Sequence, residues 1–214
     1  MTIDVQRVLG MTTRTLSRRE SDGAYVLVAT RSYPTSVDDL WDALTTAERI
    51  PRWFLPISGD LRLGGRYQLT GNAGGEVVRC EPPRDLGLTW EMQGQASWVN
   101  VALTEQSPES TVLRLEHIAH VPGDMWNRFG PGAVGVGWDS ALLGLDQHYS
   151  TGASVTPETG MAWLASDEGK RFLRQSSDAW CDASIAFGTD AELARQSAGR
   201  TTSAYMGEPF DEKG

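Results

Sequence analysis

The sequence predicts an α+β fold: a curved, seven-stranded antiparallel sheet wrapped on a long helix, with two short helices after the first strand and further helices behind. Three observations carry this. Between Ala24 and His120, short apolar runs recur roughly every 10 to 14 residues, separated by Gly, Pro and Asn clusters, as in a sheet built of hairpins. Within the runs apolar and polar residues alternate, which gives each strand one buried and one solvated face. From Gly130 the period changes to that of a helix, with Val134, Trp138, Leu142 and Leu145 on one side.

The first strand is Tyr25 to Tyr33, rich in β-branched and aromatic residues and closed by Pro34. Ser36, with Asp39 three residues on, opens a helix that buries Val37, Leu40, Trp41 and Leu44. Thr46 reads as a second N-cap, for a short helix over Ala47 to Trp53 that kinks at Pro51. Asp60 to Leu63 and Arg66 to Thr70 then form a hairpin about Gly64-Gly65, a pair free to adopt positive φ. Glu76 to Glu81, Leu86 to Met92, Trp98 to Thr104 and Thr111 to His120 complete the seven strands. The long helix spans Gly130 to Gln147, with Pro131 in its first turn. Beyond a linker at Thr151 to Thr156, helices are expected at Pro157 to Ala165 and Asp167 to Phe187. A last one is capped by Thr189 with Glu192, and the final dozen residues are expected to fray.

This divides the chain into an N-terminal arm (1–23), a sheet-and-helix domain (24–149) and a helical extension (150–214). Met161, Leu164, Phe172, Leu173, Trp180, Ile185 and Phe187 are too many large apolar residues for a free tail, so the extension should cover the same domain or a second copy in a homodimer.

Composition narrows the partners. Of 214 residues 40% are apolar and 22% charged, and 28 acidic residues outweigh 19 basic ones, for a net charge of −9. Such a surface repels nucleic acid and anionic membranes. No run approaches the roughly 18 apolar residues of a membrane span, and Cys80 and Cys181 encode neither a disulfide framework nor a zinc site. A cytoplasmic protein is expected.

Sorting the strands gives an apolar inner set: Val78 and Cys80; Leu86, Leu88, Trp90 and Met92; Val99, Val101 and Leu103; Leu113, Leu115 and His117. His117 is the one titratable group there apart from Cys80, with Tyr67 a further polar candidate, and burial should keep His117 neutral. Gly132, Gly135, Gly137 and Gly144 weaken the long helix, so either backbone approaches it closely or it leaves room beside the sheet. Asp139, Asp146 and His148 read as its outer face, with a place near the cavity mouth the alternative for Asp146 and His148.

Chemical motifs are sparse. Gly130 to Gly135 satisfies GxGxxG, but no strand leads tightly into it and only helices follow, so no dinucleotide site is expected. His117 and His120 fall on opposite faces of one strand and cannot share a metal. HExxH, GxSxG and phosphate-loop patterns do not occur. No cofactor or metal is expected.

The stretches SVDDLWDALTTAERIPRWF, GDLRLGGRYQL, CEPPRDLGLTWE, TVLRLEHIAH and GPGAVGVGWDSALLGL resemble the birch-pollen-allergen-like START/SRPBCC superfamily of helix-grip folds, in the branch named for activators of the heat-shock chaperone ATPase. The resemblance spans roughly residues 24–149. It implies a cavity between sheet and long helix that takes lipids, polyketides or other apolar molecules; a few members are cyclases or dehydrases. The residues it points to are Trp41, Trp53, Phe54, Leu88, Trp90, His117 and Trp138, to which the inner face adds Tyr67, Leu69 and Val101. The reading is therefore a binder of an apolar small molecule, without assigned catalytic residues. The alternatives are a cyclase or dehydrase using His117 as general acid or base with Tyr67 orienting an enol, and a module that engages a chaperone or its own copy.

Overall fold

The computed structural model describes residues 3–210 and bears out the predicted fold class, with eight strands in place of seven. The strands are β1 (Thr12–Arg18), β2 (Tyr25–Tyr33), β3 (Ile57–Gly59), β4 (Arg66–Leu69), β5 (Gly74–Glu81), β6 (Asp85–Met92), β7 (Gln95–Ser107) and β8 (Ser110–Ala119). They form one sheet in the order β1-β2-β8-β7-β6-β5-β4-β3, antiparallel throughout.

The extra strand comes from the segment expected to be an arm. The whole of β1 pairs with β2, from Thr12 opposite Arg31 to Arg18 opposite Tyr25. Only Leu16 among its side chains is a buried aliphatic, so the run carries almost no apolar alternation to read. The helix α1 (Val5–Gly10) precedes it, capped by the Asp4 carboxylate, and was not expected either.

Three local readings are corrected. Asp60 to Leu63 is a turn, not a strand: the Asp60 carboxylate accepts from the Arg62 backbone N–H, and Gly65 donates to the Arg62 carbonyl. The strand beside β4 is instead β3, with Ile57 opposite Leu69. The helix expected over Ala47 to Trp53 shrinks to a 3₁₀ turn, Ile50–Arg52, and Thr46 ends the preceding helix, its hydroxyl donating to Asp42 Oδ1 at 2.6 Å. In β5 a bulge between Val77 and Arg79 shifts the alternation, so Val77 turns inward and Val78 is exposed. Met92, at the strand end, is also exposed. The β6–β7 hairpin turns on Gln93-Gly94, both with positive φ, as a two-residue turn of matching twist requires.

α2 (Val37–Thr45) is capped by Ser36 as read from the sequence. α3 (Gly123–Phe129) occupies the stretch before the long helix and was not expected. The long helix α4 (Gly132–Thr151) lies across the sheet, and the Tyr33 hydroxyl on β2 donates to its Leu142 carbonyl at 3.1 Å. α5 (Pro157–Leu164), α6 (Asp167–Phe187) and α7 (Ala191–Met206) make up the extension. Asp190, not Thr189, caps α7, accepting from the Glu192 and Leu193 N–H groups. α7 runs well into the segment expected to fray, of which 211–214 lie outside the described residues.

α6 packs on α4, β1 and α1, so the extension covers its own chain, with Phe172, Leu173 and Trp180 fully buried. Met161 is the exception and lies exposed. This placement overturns the outer-face reading of α4. Asp139 is 3% exposed and bound by Arg14, Ser176 and Trp180, while Asp146 pairs with Arg31 at 2.5 Å. His148 is buried as well, and burial pushes its pKa down.

Candidate functional site

A hollow separates the inner face of the sheet from α4. It is a cavity of about 100 Å³ within about 860 Å³ of space that includes open solvent. The contrast between these two volumes describes a narrow, partly open slot. The smaller figure still exceeds the ~10–15 Å³ that a single water needs.

Its walls come from three sources. Alternate residues of β4 to β8 supply Tyr67, Leu69, Val77, Leu86, Leu88, Trp90, Val99, Val101, Leu113 and Leu115. α4 contributes Trp138, Ala141, Leu142 and Leu145, spaced to face one side of a helix. The end of α2 and the segment after it close the slot with Leu44, Thr45, Ile50, Trp53, Phe54 and Ile57. Four aromatic rings follow one another along the wall. Trp53 and Phe54 are stacked at 5.4 Å, Phe54 and Trp138 lie near-parallel at 6.5 Å, and Trp138 meets Trp90 at 4.9 Å with a 55° tilt.

Eight of the ten residues singled out in the sequence border this space: Trp53, Phe54, Tyr67, Leu69, Leu88, Trp90, Val101 and Trp138. Trp41 and His117 do not. Trp41, on α2, is half-buried and packs against the core. His117 points inward and is only 4% exposed, but it lies behind Trp138, whose indole Nε1 donates to its Nδ1 at 3.1 Å. Since an indole only donates, neutral His117 carries its proton on Nε2. Burial pushes its pKa down to about 4. Ile57 was missed because the expected strand began three residues late, β3 being too short to show an apolar spacing, and Leu61 because the stretch read as a strand is a turn that follows β3.

No lining residue is charged, and four of the five polar side chains of the lining, all but Trp90, donate to the protein's own acceptors. The Tyr67 hydroxyl donates to the Thr89 carbonyl at 2.7 Å, and burial raises its pKa above the ordinary phenol value. The Thr45 hydroxyl donates to the Trp41 carbonyl, and Trp53 Nε1 to that of Ala43. Such a wall offers shape and apolar contact and carries no acid–base pair. Among the described residues no cluster of His, Cys, Asp or Glu could hold a metal, and no helix is long and apolar enough to cross a membrane.

Gly144 fixes the closing segment. A Cβ there would lie 2.2 Å from the Trp53 carbonyl oxygen, so glycine lets that backbone rest on α4. Gly144→Ala is expected to cost about 1–3 kcal/mol through this clash, in spite of alanine's better helix propensity. It should also displace Trp53 and Phe54. Denaturant unfolding and tryptophan emission check both effects; an unchanged midpoint would show that the contact is soft.

A sheet wrapped on one long helix, with an apolar slot between them, defines a helix-grip domain. Residues 34–150, more than half of the chain, match the family described as activator of Hsp90 ATPase homolog 1-like protein, and the chain belongs to that family. The structure is similar to the crystal structure of CalU16 from Micromonospora echinospora at 34% identity and a TM-score of 0.65, over 80% of this chain and 97% of that one. It shares the fold of DynU16, from the dynemicin biosynthetic locus, at 24% identity and a TM-score of 0.52, over 60% of this chain and 48% of that one. It also shares the fold of the Aha1 dimer from Colwellia psychrerythraea, at 17% identity and 0.50, over 59% and 97%. No curated protein matches the chain.

Proposed function

We propose that the protein binds a hydrophobic small molecule in the slot between sheet and α4. The observation that carries this reading is a partly open space whose wall contains no charge and four aromatic rings. Water in such a slot has few hydrogen-bond partners, so replacing it with an apolar molecule is favourable. A specific ligand is not implied, because apolar walls select by size and shape.

The test is titration with Nile red, an uncharged fluorescent probe, against the native chain and Leu88→Trp, which puts a larger ring into the slot from β6. Saturable binding that the substitution weakens at least about tenfold, with circular dichroism unchanged, is the expected result. No saturable binding to the native chain, or equal binding to a folded Leu88→Trp, would overturn the proposal.

Binding is favoured over cyclase or dehydrase chemistry by the position of His117, which stands behind Trp138 with Nδ1 engaged. The chaperone and homodimer readings draw on the family description and on the dimer named for the Colwellia protein. Against them, the exposed large apolar residues Met11, Leu63, Val78, Met92, Met125, Met161 and Tyr205 fall on seven different segments and share no strand or helix.

A further inference from the structure

We infer that Trp90 is the specificity-determining residue of the slot: its indole N–H donates to an oxygen acceptor, a carbonyl or ether, on an uncharged aromatic ligand. The inference rests on the slot being a binding site, and it adds which ligands that site prefers.

The Tyr67 and Thr45 hydroxyls and the Trp53 and Trp138 indoles each donate to the protein's own acceptors, at distances of 2.7 to 3.1 Å. Trp90 alone among the lining donors has no acceptor among the described residues. Its ring is held half-buried on the inner face of β6, tilted against Trp138 and edge-on to His117 at 6.4 Å. A donor fixed in an apolar wall and left unpaired makes the site discriminate, because a ligand that supplies the acceptor recovers a hydrogen bond that an apolar isostere does not.

The same wall sets the rest of the ligand class. An ionised group placed in the slot would lose its hydration with no opposite charge among the lining residues. A flat ring system gains contact with the near-parallel run Trp53, Phe54 and Trp138 and suits a narrow space.

Fluorene and 9-fluorenone are flat tricyclic isosteres that differ by one carbonyl, and fluorene-9-carboxylate adds a charge. Affinities from quenching of tryptophan emission are compared for the native chain and Trp90→Phe, which keeps a ring and removes the N–H. Fluorenone is expected to bind the native chain about two- to tenfold more tightly than fluorene, with that ratio falling to about one in Trp90→Phe. In ¹H–¹⁵N spectra the Trp90 indole resonance, assigned by its loss in the variant, should move downfield with fluorenone and not with fluorene. Equal affinities in the native chain, a preference that survives in Trp90→Phe, or carboxylate binding as tight as fluorenone would overturn the inference while leaving the slot a binding site. Failure of all three probes, together with failure of Nile red, would overturn the binding reading itself.

Discussion

Asp139→Ala is expected to destabilise the fold by about 3–5 kcal/mol, the cost of removing one member of a buried ion pair. Arg14 Nε from β1 reaches both carboxylate oxygens, at 3.2 and 3.0 Å, while Ser176 and Trp180 on α6 donate to Oδ2 at 2.5 and 3.1 Å. Both partners are almost wholly buried, with side-chain exposures of 6% and 1%. One carboxylate on the back of α4 thus ties together the edge strand, the long helix and the extension. Burial pushes its pKa up, and the guanidinium and the two neutral donors pull it back. Without it, Arg14 keeps the Leu9 and Thr12 carbonyls but loses its counter-charge, and the Trp180 N–H loses its acceptor. The paired replacement Arg14→Met with Asp139→Leu removes both charges and should cost much less than the sum of the single changes. Urea midpoints of the three variants decide; a loss below about 1 kcal/mol for Asp139→Ala would mean that water reaches the pair.

That cluster also marks where the sequence stops being readable. Strand alternation placed Leu86, Leu88 and Trp90 on β6, Val99 and Val101 on β7, and Leu113 and Leu115 on β8 facing inward, and all of them border the slot. The rule works because each of these strands has one wet face. α4 does not. Its slot side carries Trp138 and Leu142, and its back, with Gly135 and Asp139, is covered by α6. A single apolar stripe therefore made Asp139 and Asp146 look solvated, although their arginines stand 125 and 115 residues away in the chain. The helix glycines carried the missing signal. A Cβ on Gly135 would lie 2.3 Å from the Trp180 ring, and on Gly144 the same distance problem arises with Trp53, so both mark close approach and not slack. β1 escaped for the opposite reason: an edge strand with one buried leucine leaves almost no pattern. Trp41 and His117 show that an inward position is not yet a place on the cavity wall, because a neighbour such as Trp138 can stand in front of it.

His117 supplies the second large effect, as a loss of stability in mild acid. Its pKa falls from an ordinary 6.5 to about 4 in the folded chain, because burial disfavours the imidazolium. Between these values the unfolded chain binds a proton that the folded chain refuses, so stability rises with pH across this window. The contribution is complete above pH 6.5 and is withdrawn as pH falls toward 4, amounting to about 3 kcal/mol at about 1.4 kcal/mol per pKa unit. His148 shifts in the same direction, so the effect must be isolated by substitution. His117→Asn removes the titration and places an amide oxygen where Nδ1 accepts from Trp138. Between pH 7 and pH 4.5 the native chain should lose about 2 kcal/mol more than this variant in urea unfolding. Protonation of Nδ1 would also deprive the Trp138 indole of its acceptor, so the acid loss should be accompanied by a change in Trp138 emission that His117→Asn does not show. Parallel stability curves for the two proteins would mean that His117 is hydrated, and that the wall of the slot at Trp138 is not anchored through it.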